Sequence, residues 1–242
     1  MHQTDYLRNE ELVPDMYVPE SRFGIWFLQT ETWAKHVLER ALNDLERLID
    51  ARRQSYPVIV DVGCGRGRSF KLLAERFKPH HMIGIDVDAE MLRIAAAEVA
   101  KEKLAVEFRQ TTSSRLMLPS DSVDMVFCHQ TFHHLMDQEA ALAEFHRVLK
   151  PGGLLLFAES TKKYIHSWLI RFLFRHPMDM QRTAAEYLQM IGEAGFDIRS
   201  RSVSYPYLWW SRSDLGIPER WFGIQPPANH EETLINLVAI RP

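Results

Sequence analysis

Three glycines stand within five residues in Asp61-Val62-Gly63-Cys64-Gly65-Arg66-Gly67, directly behind an acid. Glycines at that spacing let a backbone turn sharply and let a ligand approach its amides closely. The turn alone is also compatible with a plain strand-to-helix connection. A second acid, Asp86, closes the apolar run beginning at His81. A carboxylate at such a strand end can accept both hydroxyls of a ribose. The dinucleotide fingerprint would need glycine where Arg68 stands, and usually has no acid in the preceding strand. Asp61 beside the turn suits a cationic ligand better, such as one carrying an α-ammonium and a sulfonium. Further on, His129, His133 and His134 offer imidazoles that could take a proton or simply pack. Cys64 reads as a small packing residue rather than a nucleophile. The eleven histidines are scattered without companion cysteines or acids, so no metal site is expected.

The elements that must position these residues alternate in a regular way. Trp33, Val37, Leu38, Ala41, Leu42, Leu45, Leu48 and Ile49 fall on one stripe of a helix over 33–49. Residues 57–62 are a β-branched apolar run suited to a strand buried on both faces. A helix over 68–77, a strand over 81–85 and a helix capped by Asp88 come next. Strands are expected over 104–110, 123–128 and 154–158, with a helix over 138–149 stopped by Pro151-Gly152-Gly153. Five such alternations predict a doubly wound parallel α/β sheet with right-handed crossovers. Thr183 and Glu186 form a capping box for a helix over 183–194, with Gly195 behind it. Residues 196–203 and 234–240 are strand-like.

Composition narrows the field. Hydrophobic residues at 46% and charged residues at 25% are ordinary for a globular chain of 242 residues, which reads as a single domain over 1–242. Within it, 1–50 is an N-terminal cap segment and helix, and 204–232 is an aromatic insertion between the last two strands. A net charge of −3 argues against a protein held to nucleic-acid backbones. Two cysteines, no signal peptide and no long apolar run together suggest a cytoplasmic setting.

Taken jointly, the motifs resemble those of class I S-adenosylmethionine-dependent methyltransferases, of the broad small-molecule group that includes ubiquinone and menaquinone biosynthesis enzymes. Val60 to Gly67 is similar to the family's first motif, and Gly84-Ile85-Asp86-Val87-Asp88 to its second. Leu118-Pro119, Ser122 to Cys128, His133-His134-Leu135 and Arg147 to Gly153 resemble the family's later segments. The resemblance covers roughly 33–203 and the last strand. It implies a seven-stranded Rossmann-like sheet of order 3-2-1-4-5-7-6 with the last strand antiparallel. It implies S-adenosyl-L-methionine as cofactor and S-adenosyl-L-homocysteine as product. By position, Gly63, Cys64, Gly65 and Gly67 would line the methionine half, with Asp61 near its ammonium. Asp86 would hold the ribose, and Val87 and Met91 would pack on adenine. His129 would contribute a backbone contact near the sulfonium. Where the family often has an acid after the third strand, Thr112 and Ser113 stand here, so a neutral hydrogen bond to adenine is implied. His134 and His133 are the candidate catalytic pair.

These residues point to methyl transfer to a small organic acceptor. The alternatives are a lipid or isoprenoid-tailed acceptor, and a cofactor-binding protein without catalysis. The Asn/Asp-Pro-Pro-aromatic signature of nucleic-acid amino-methylating enzymes is absent, with Cys128-His129-Gln130-Thr131 in its place. The apolar stretch 165–174 reads as a cover over the site, with a peripheral membrane contact as the alternative. The 204–232 segment holds Tyr205, Tyr207, Trp209, Trp210, Trp221 and Phe222, stiffened by Pro206, Pro218, Pro226 and Pro227. Aromatics this dense are expected to bury, either against the sheet edge or a homodimer contact, or as a lid meeting Tyr17, Arg22, Phe23 and Trp26. In the lid arrangement Tyr17, Arg22, Trp26, Tyr205, Trp209 and Trp210 would line the acceptor pocket.

Overall fold

The computed structural model describes residues 21–212, 214–226 and 229–242. Its centre is one seven-stranded sheet: β1 (Val58–Val62), β2 (His81–Asp86), β3 (Val106–Gln110), β4 (Val123–His129), β5 (Leu149–Ser160), β6 (Asp197–Ser204) and β7 (Leu234–Ile240). The strands lie in the order β3-β2-β1-β4-β5-β7-β6. Val60 pairs with Ile83 on one side and Val126 on the other, both in parallel register. β7 runs antiparallel to both β5 and β6. The expected sheet order is therefore the observed one.

Both faces of the sheet are covered, which explains the unbroken apolar runs of the central strands. Val60, Val62, Ile85, Val126 and Phe157 pack with Phe132, Phe145 and Tyr187 on one face. Ile59, Met82, Met125, Phe127 and Leu156 pack with Leu42, Leu45, Phe70, Leu73 and Phe77 on the other. Strand alternation places Asp61 on the second face beside Ile59, under the helix Ser69–Phe77.

Local signals fixed several boundaries. The Asp88 carboxylate accepts from the Glu90 and Met91 amides at 2.8 and 3.3 Å, opening the helix Ala89–Lys101. Thr183 and Glu186 make the expected capping box for Ala184–Glu193, and Gly195 turns with φ +93°. Two segments differ from expectation. The helix Gln138–Val148 ends before Pro151, but β5 begins at Leu149 and runs through the Pro-Gly-Gly turn. The reason is pairing: Gly152 N–H donates to the Arg241 carbonyl at 2.7 Å and Arg241 N–H to the Gly153 carbonyl at 3.0 Å. The helical stretch from Glu31 to Leu48 also contains a π turn at Ala34–Leu38. No helix among the described residues is long and apolar enough to cross a membrane.

Candidate functional site

A cavity of about 320 Å³ opens at the C-terminal ends of β1, β2 and β4, where ligands bind in open α/β sheets. Its floor is the glycine-rich turn. Gly63, Gly65 and Gly67 adopt φ of +71°, +51° and +76°, which side-chain-bearing residues rarely do. A Cβ at Gly63 would overlap the Thr131 side chain. The amides of Gly63 and Cys64 both donate to the Ile85 carbonyl, at 2.8 and 3.0 Å, so the turn is tied to β2. Cys64 is buried, and burial with nearby Asp61 and Asp86 pushes its thiol up, so it packs rather than attacks.

The two acids occupy distinct environments. Asp86 accepts from Gly65 N–H at 2.8 Å and from Asp88 N–H at 3.0 Å, which orients its carboxylate at the cavity. Burial holds its pKa above the usual carboxylate range. Asp61 is 3% exposed and accepts from the Ser69 hydroxyl. Burial pushes its pKa up to about 7, with the nearby Asp86 charge adding to the rise. A buried acid with one neutral donor is a position that a cation would relieve. Val87, Met91, Thr112 and Ser113 line the same cavity, the last two buried. So all eleven expected cofactor residues except Gly67 border one space; Gly67 instead packs against Ala95, whose Cβ leaves 3.0 Å for an added Cβ.

His129 forms part of the cavity wall. Phe127 stacks on it at 5.8 Å and Trp33 meets it edge-on at 5.6 Å. Burial pushes its pKa down to about 3, so the ring is neutral, and its Nε2 has no hydrogen-bond partner among the described residues. His134 borders the cavity, while His133 lies behind it, 3% exposed. His133 Nδ1 is 2.5 Å from Glu159 Oε2. Glu159, fully buried at the end of β5, also accepts from the Thr131 and Phe132 amides at 2.8 and 2.7 Å. The histidines that look scattered along the sequence are not scattered in space: His176 joins His133 and His134 in one group.

Sequence reasoning passed over Glu159, His176, Trp33 and Arg68. Glu159 could have been found, because an acid ending a buried apolar strand is rare unless paired. His176 carries no local signal. Arg68 donates to the Gln29 and Thr30 carbonyls at 2.5 and 3.1 Å, holding the N-terminal helices against the cavity.

The expected acceptor residues separate into groups. Tyr17 lies outside the described residues, as does Pro227 of the insertion. Arg22 and Trp26 sit on the exposed side of the helix Arg22–Phe27, and it is Ile25 and Leu28 that reach the cavity. Tyr205 and Trp210 border a second cavity of about 350 Å³, which shares His129 and Gln130 with the first. Trp209 borders neither and meets His36 edge-on at 6.3 Å. Burial of all the insertion's aromatics is not observed: Trp221 and Phe222 are 75% and 73% exposed, because the short helix Ile217–Phe222 turns them outward. The 165–174 stretch splits into helices Lys162–Ile165 and Trp168–Leu173, with Trp168 and Phe172 also exposed.

The sheet order, with β7 antiparallel to its neighbours, is the Rossmann-like fold of class I methyltransferases. Residues 60–157 match the family model described as a methyltransferase domain. Phosphoethanolamine N-methyltransferase 1 of Arabidopsis thaliana is 29% identical over 140 residues, covering 57% of this chain and 28% of that protein. Trans-aconitate 2-methyltransferase of Azoarcus sp. (strain BH72) is 38% identical over 97 residues, covering 40% of this chain and 36% of that protein. The chain thus spans about a third of the length of these relatives. A SAM-dependent methyltransferase from Aquifex aeolicus shares the fold, with a TM-score of 0.62 at 20% identity over 90% of this chain and 97% of that one.

Proposed function

We propose that the chain transfers a methyl group from S-adenosylmethionine to a small organic acceptor. The observation that supports this most directly is the single cavity in which the glycine turn, Asp61, Asp86 and the ring of His129 converge. The residues fit the cofactor: the turn is too close to Thr131 to carry a side chain, Asp61 is a buried acid short of a cation, and Asp86 is aimed by two amides. When bound, S-adenosylmethionine supplies an electrophilic methyl on a sulfonium that leaves readily. The chain's task is then alignment and exclusion of water, which can account for much of the rate.

In this reading Asp61 holds the ammonium, Asp86 the ribose diol, Val87 and Met91 the adenine faces, and Thr112 or Ser113 the adenine edge. Trp33, Phe127 and the neutral ring of His129 form an aromatic side of the first cavity, and His129 and Gln130 are shared with the second. The second cavity, lined by Tyr205, Trp210, Asn236 and Asp44, is the space for the acceptor. His134, which lines the first cavity, acts on the proton of an acceptor that reaches in past His129 and Gln130, with His133 packed behind it. The named relatives act on phosphoethanolamine and trans-aconitate, and small polar acceptors of that size suit a cavity of this volume. The test traces label from methyl-labelled S-adenosylmethionine into a metabolite extract. Label appearing in one small compound supports the reading; cofactor binding with no labelled product in any extract opposes it.

One observation favours a second reading, an acceptor with a lipid or isoprenoid tail. Trp168, Phe172, Trp221, Phe222 and Ile224 are all exposed. The segments that flank them touch, Tyr164 meeting Trp210 and Lys163 pairing with Glu231. Aromatic residues of this kind favour a membrane interface. Co-sedimentation with vesicles and label recovered in the lipid fraction would select this reading.

A further inference from the structure

Three imidazoles converge at the edge of the cofactor cavity. Ring centroids are 4.3 Å apart for His133 and His134, 5.1 Å for His133 and His176, and 4.9 Å for His134 and His176. One ring nitrogen from each lies within 4.8 Å of the others. We propose that His133, His134 and His176 form a binding site for a divalent transition-metal ion, zinc by preference, open toward the cavity that His134 lines.

The surroundings of His133 carry the argument furthest. Its Nδ1 is held by Glu159, so Nε2 is the nitrogen left to bind a metal. A histidine whose other ring nitrogen donates to a carboxylate is the usual arrangement behind a metal-bound imidazole, because it fixes the tautomer and raises ligand basicity. Glu159 is fully buried and itself oriented by two amides, so the ring has little freedom to turn. A buried acid also needs a compensating positive charge nearby, and a metal on the far side of the imidazole supplies one.

His176 is 42 residues further along the chain than His134, yet local bonding fixes its position. The Gln181 side-chain amide donates to the His133 carbonyl at 2.8 Å and to the Pro177 carbonyl at 2.9 Å. One side chain thus fastens the two ligand-bearing segments to each other. Tetrahedral zinc with bonds of about 2.0–2.1 Å places its ligand nitrogens roughly 3.3 Å apart. From separations of up to 4.8 Å, the ring nitrogens must therefore close by up to about 1.5 Å. His176 lies on the irregular link between Trp168–Leu173 and Met178–Met180, where a small ring rotation is unopposed by helix geometry.

Three imidazole nitrogens without a hard oxygen ligand select zinc, cobalt, nickel or copper over magnesium and calcium. Three protein ligands leave a fourth position for water or an acceptor oxygen, as in catalytic zinc sites. A hydroxyl or carboxylate bound there would be held and, for a hydroxyl, deprotonated more easily. That use rests on the methyl-transfer reading; occupancy of the site does not.

The experiment titrates cobalt chloride into the chelator-treated full chain and monitors visible absorption. S-adenosylmethionine binding is measured in parallel by calorimetry. The expected result is one cobalt per chain with tetrahedral d–d bands, displaced by zinc. His134→Ala and His176→Ala should each weaken cobalt binding at least tenfold, and His176→Ala, outside the cavity lining, should leave cofactor affinity within twofold, which also shows that it folds. His176→Cys, a conservative ligand swap, should restore binding and add a thiolate-to-cobalt band. No visible bands, or bands that persist unchanged in His176→Ala, would overturn the site. Failure of cofactor binding in the unaltered chain would instead count against the methyl-transfer reading.

Discussion

Binding of the cofactor should expel a proton, and Asp61 should be its source. Burial raises the Asp61 pKa from 3.8 to about 7 in the free protein, a penalty on the ionised form of about 4 kcal/mol. An ammonium placed beside it reverses that penalty, so the carboxyl ionises as the ligand arrives. With a folded pKa of about 7, Asp61 should release about 0.9 proton on binding at pH 6, about 0.5 at pH 7 and about 0.1 at pH 8, the last outweighed by about 0.5 proton that the ligand's own amine takes up at that pH. Affinity should fall about fivefold from pH 7 to pH 6, and by nearly another tenfold from pH 6 to pH 5. Above about pH 8 it should decline again as the ligand's own amine loses its charge. The assay is isothermal calorimetry in buffers of different ionisation enthalpy, where the apparent enthalpy reports protons exchanged. Asp61→Asn should bind more weakly and release none. The unliganded protein supplies an independent check. A raised acid pKa gives stability that is fully present below pH 3.8 and lost as pH rises through about 7. Asp61→Asn should therefore be the more stable protein at pH 8 without ligand. Buffer-independent enthalpy at pH 6 together with a flat affinity from pH 6 to 7.5 would refute the placement of the ammonium at Asp61.

Other consequences concern neighbouring residues. Gly63→Ala combines a φ of +71° with overlap on Thr131, and should cost about 1–3 kcal/mol of stability in thermal melts as well as cofactor affinity. Glu159→Ala strands the Thr131 and Phe132 amides and the His133 ring; a loss of about 3 kcal/mol or more is expected from urea unfolding. His134→Ala should lower turnover by about a hundredfold while calorimetry shows cofactor affinity unchanged. Replacing residues 208–230 with a short Gly-Ser turn removes Leu208 and Trp210 from the second cavity. Cofactor binding should survive that change and acceptor turnover should not.

The lining of the first cavity was legible because its determinants are local. The glycine turn, the acid before it and the acid ending the next strand are set by residues within one β-α-β unit, and parallel pairing of β1 and β2 brings Asp61 and Asp86 together. The start of β5 was not legible: Pro151-Gly152-Gly153 breaks a helix by its own chemistry, but its strand pairing depends on Arg241, about ninety residues later. The second cavity was least legible. Composition singles out Tyr205 and Trp210, which border it, yet Arg22 and Trp26 face outward because the helix Arg22–Phe27 buries Gly24 instead. Nothing in the spacing of His133 and His176 announces that Gln181 will join their segments.

The position of β7 has a bearing on how the chain acquires its structure during synthesis. β7 lies between β5 and β6 and supplies ladder partners to both, from Ser160↔Leu234 to Leu154↔Ile240 on one side and Ser204↔Asn236 on the other. Until residues 234–240 leave the ribosome, β5 has an open apolar edge and β6 has no strand to join. The β1–β4 part can assemble on the nascent chain well before that point, since all its pairings lie upstream. Residues 149–233 must then wait, with an unpaired edge of the kind that invites aggregation or chaperone capture. A chain arrested before Leu234 should be protease-resistant only up to β4 or β5, and full protection should arrive in one late step, when the last strand slots in.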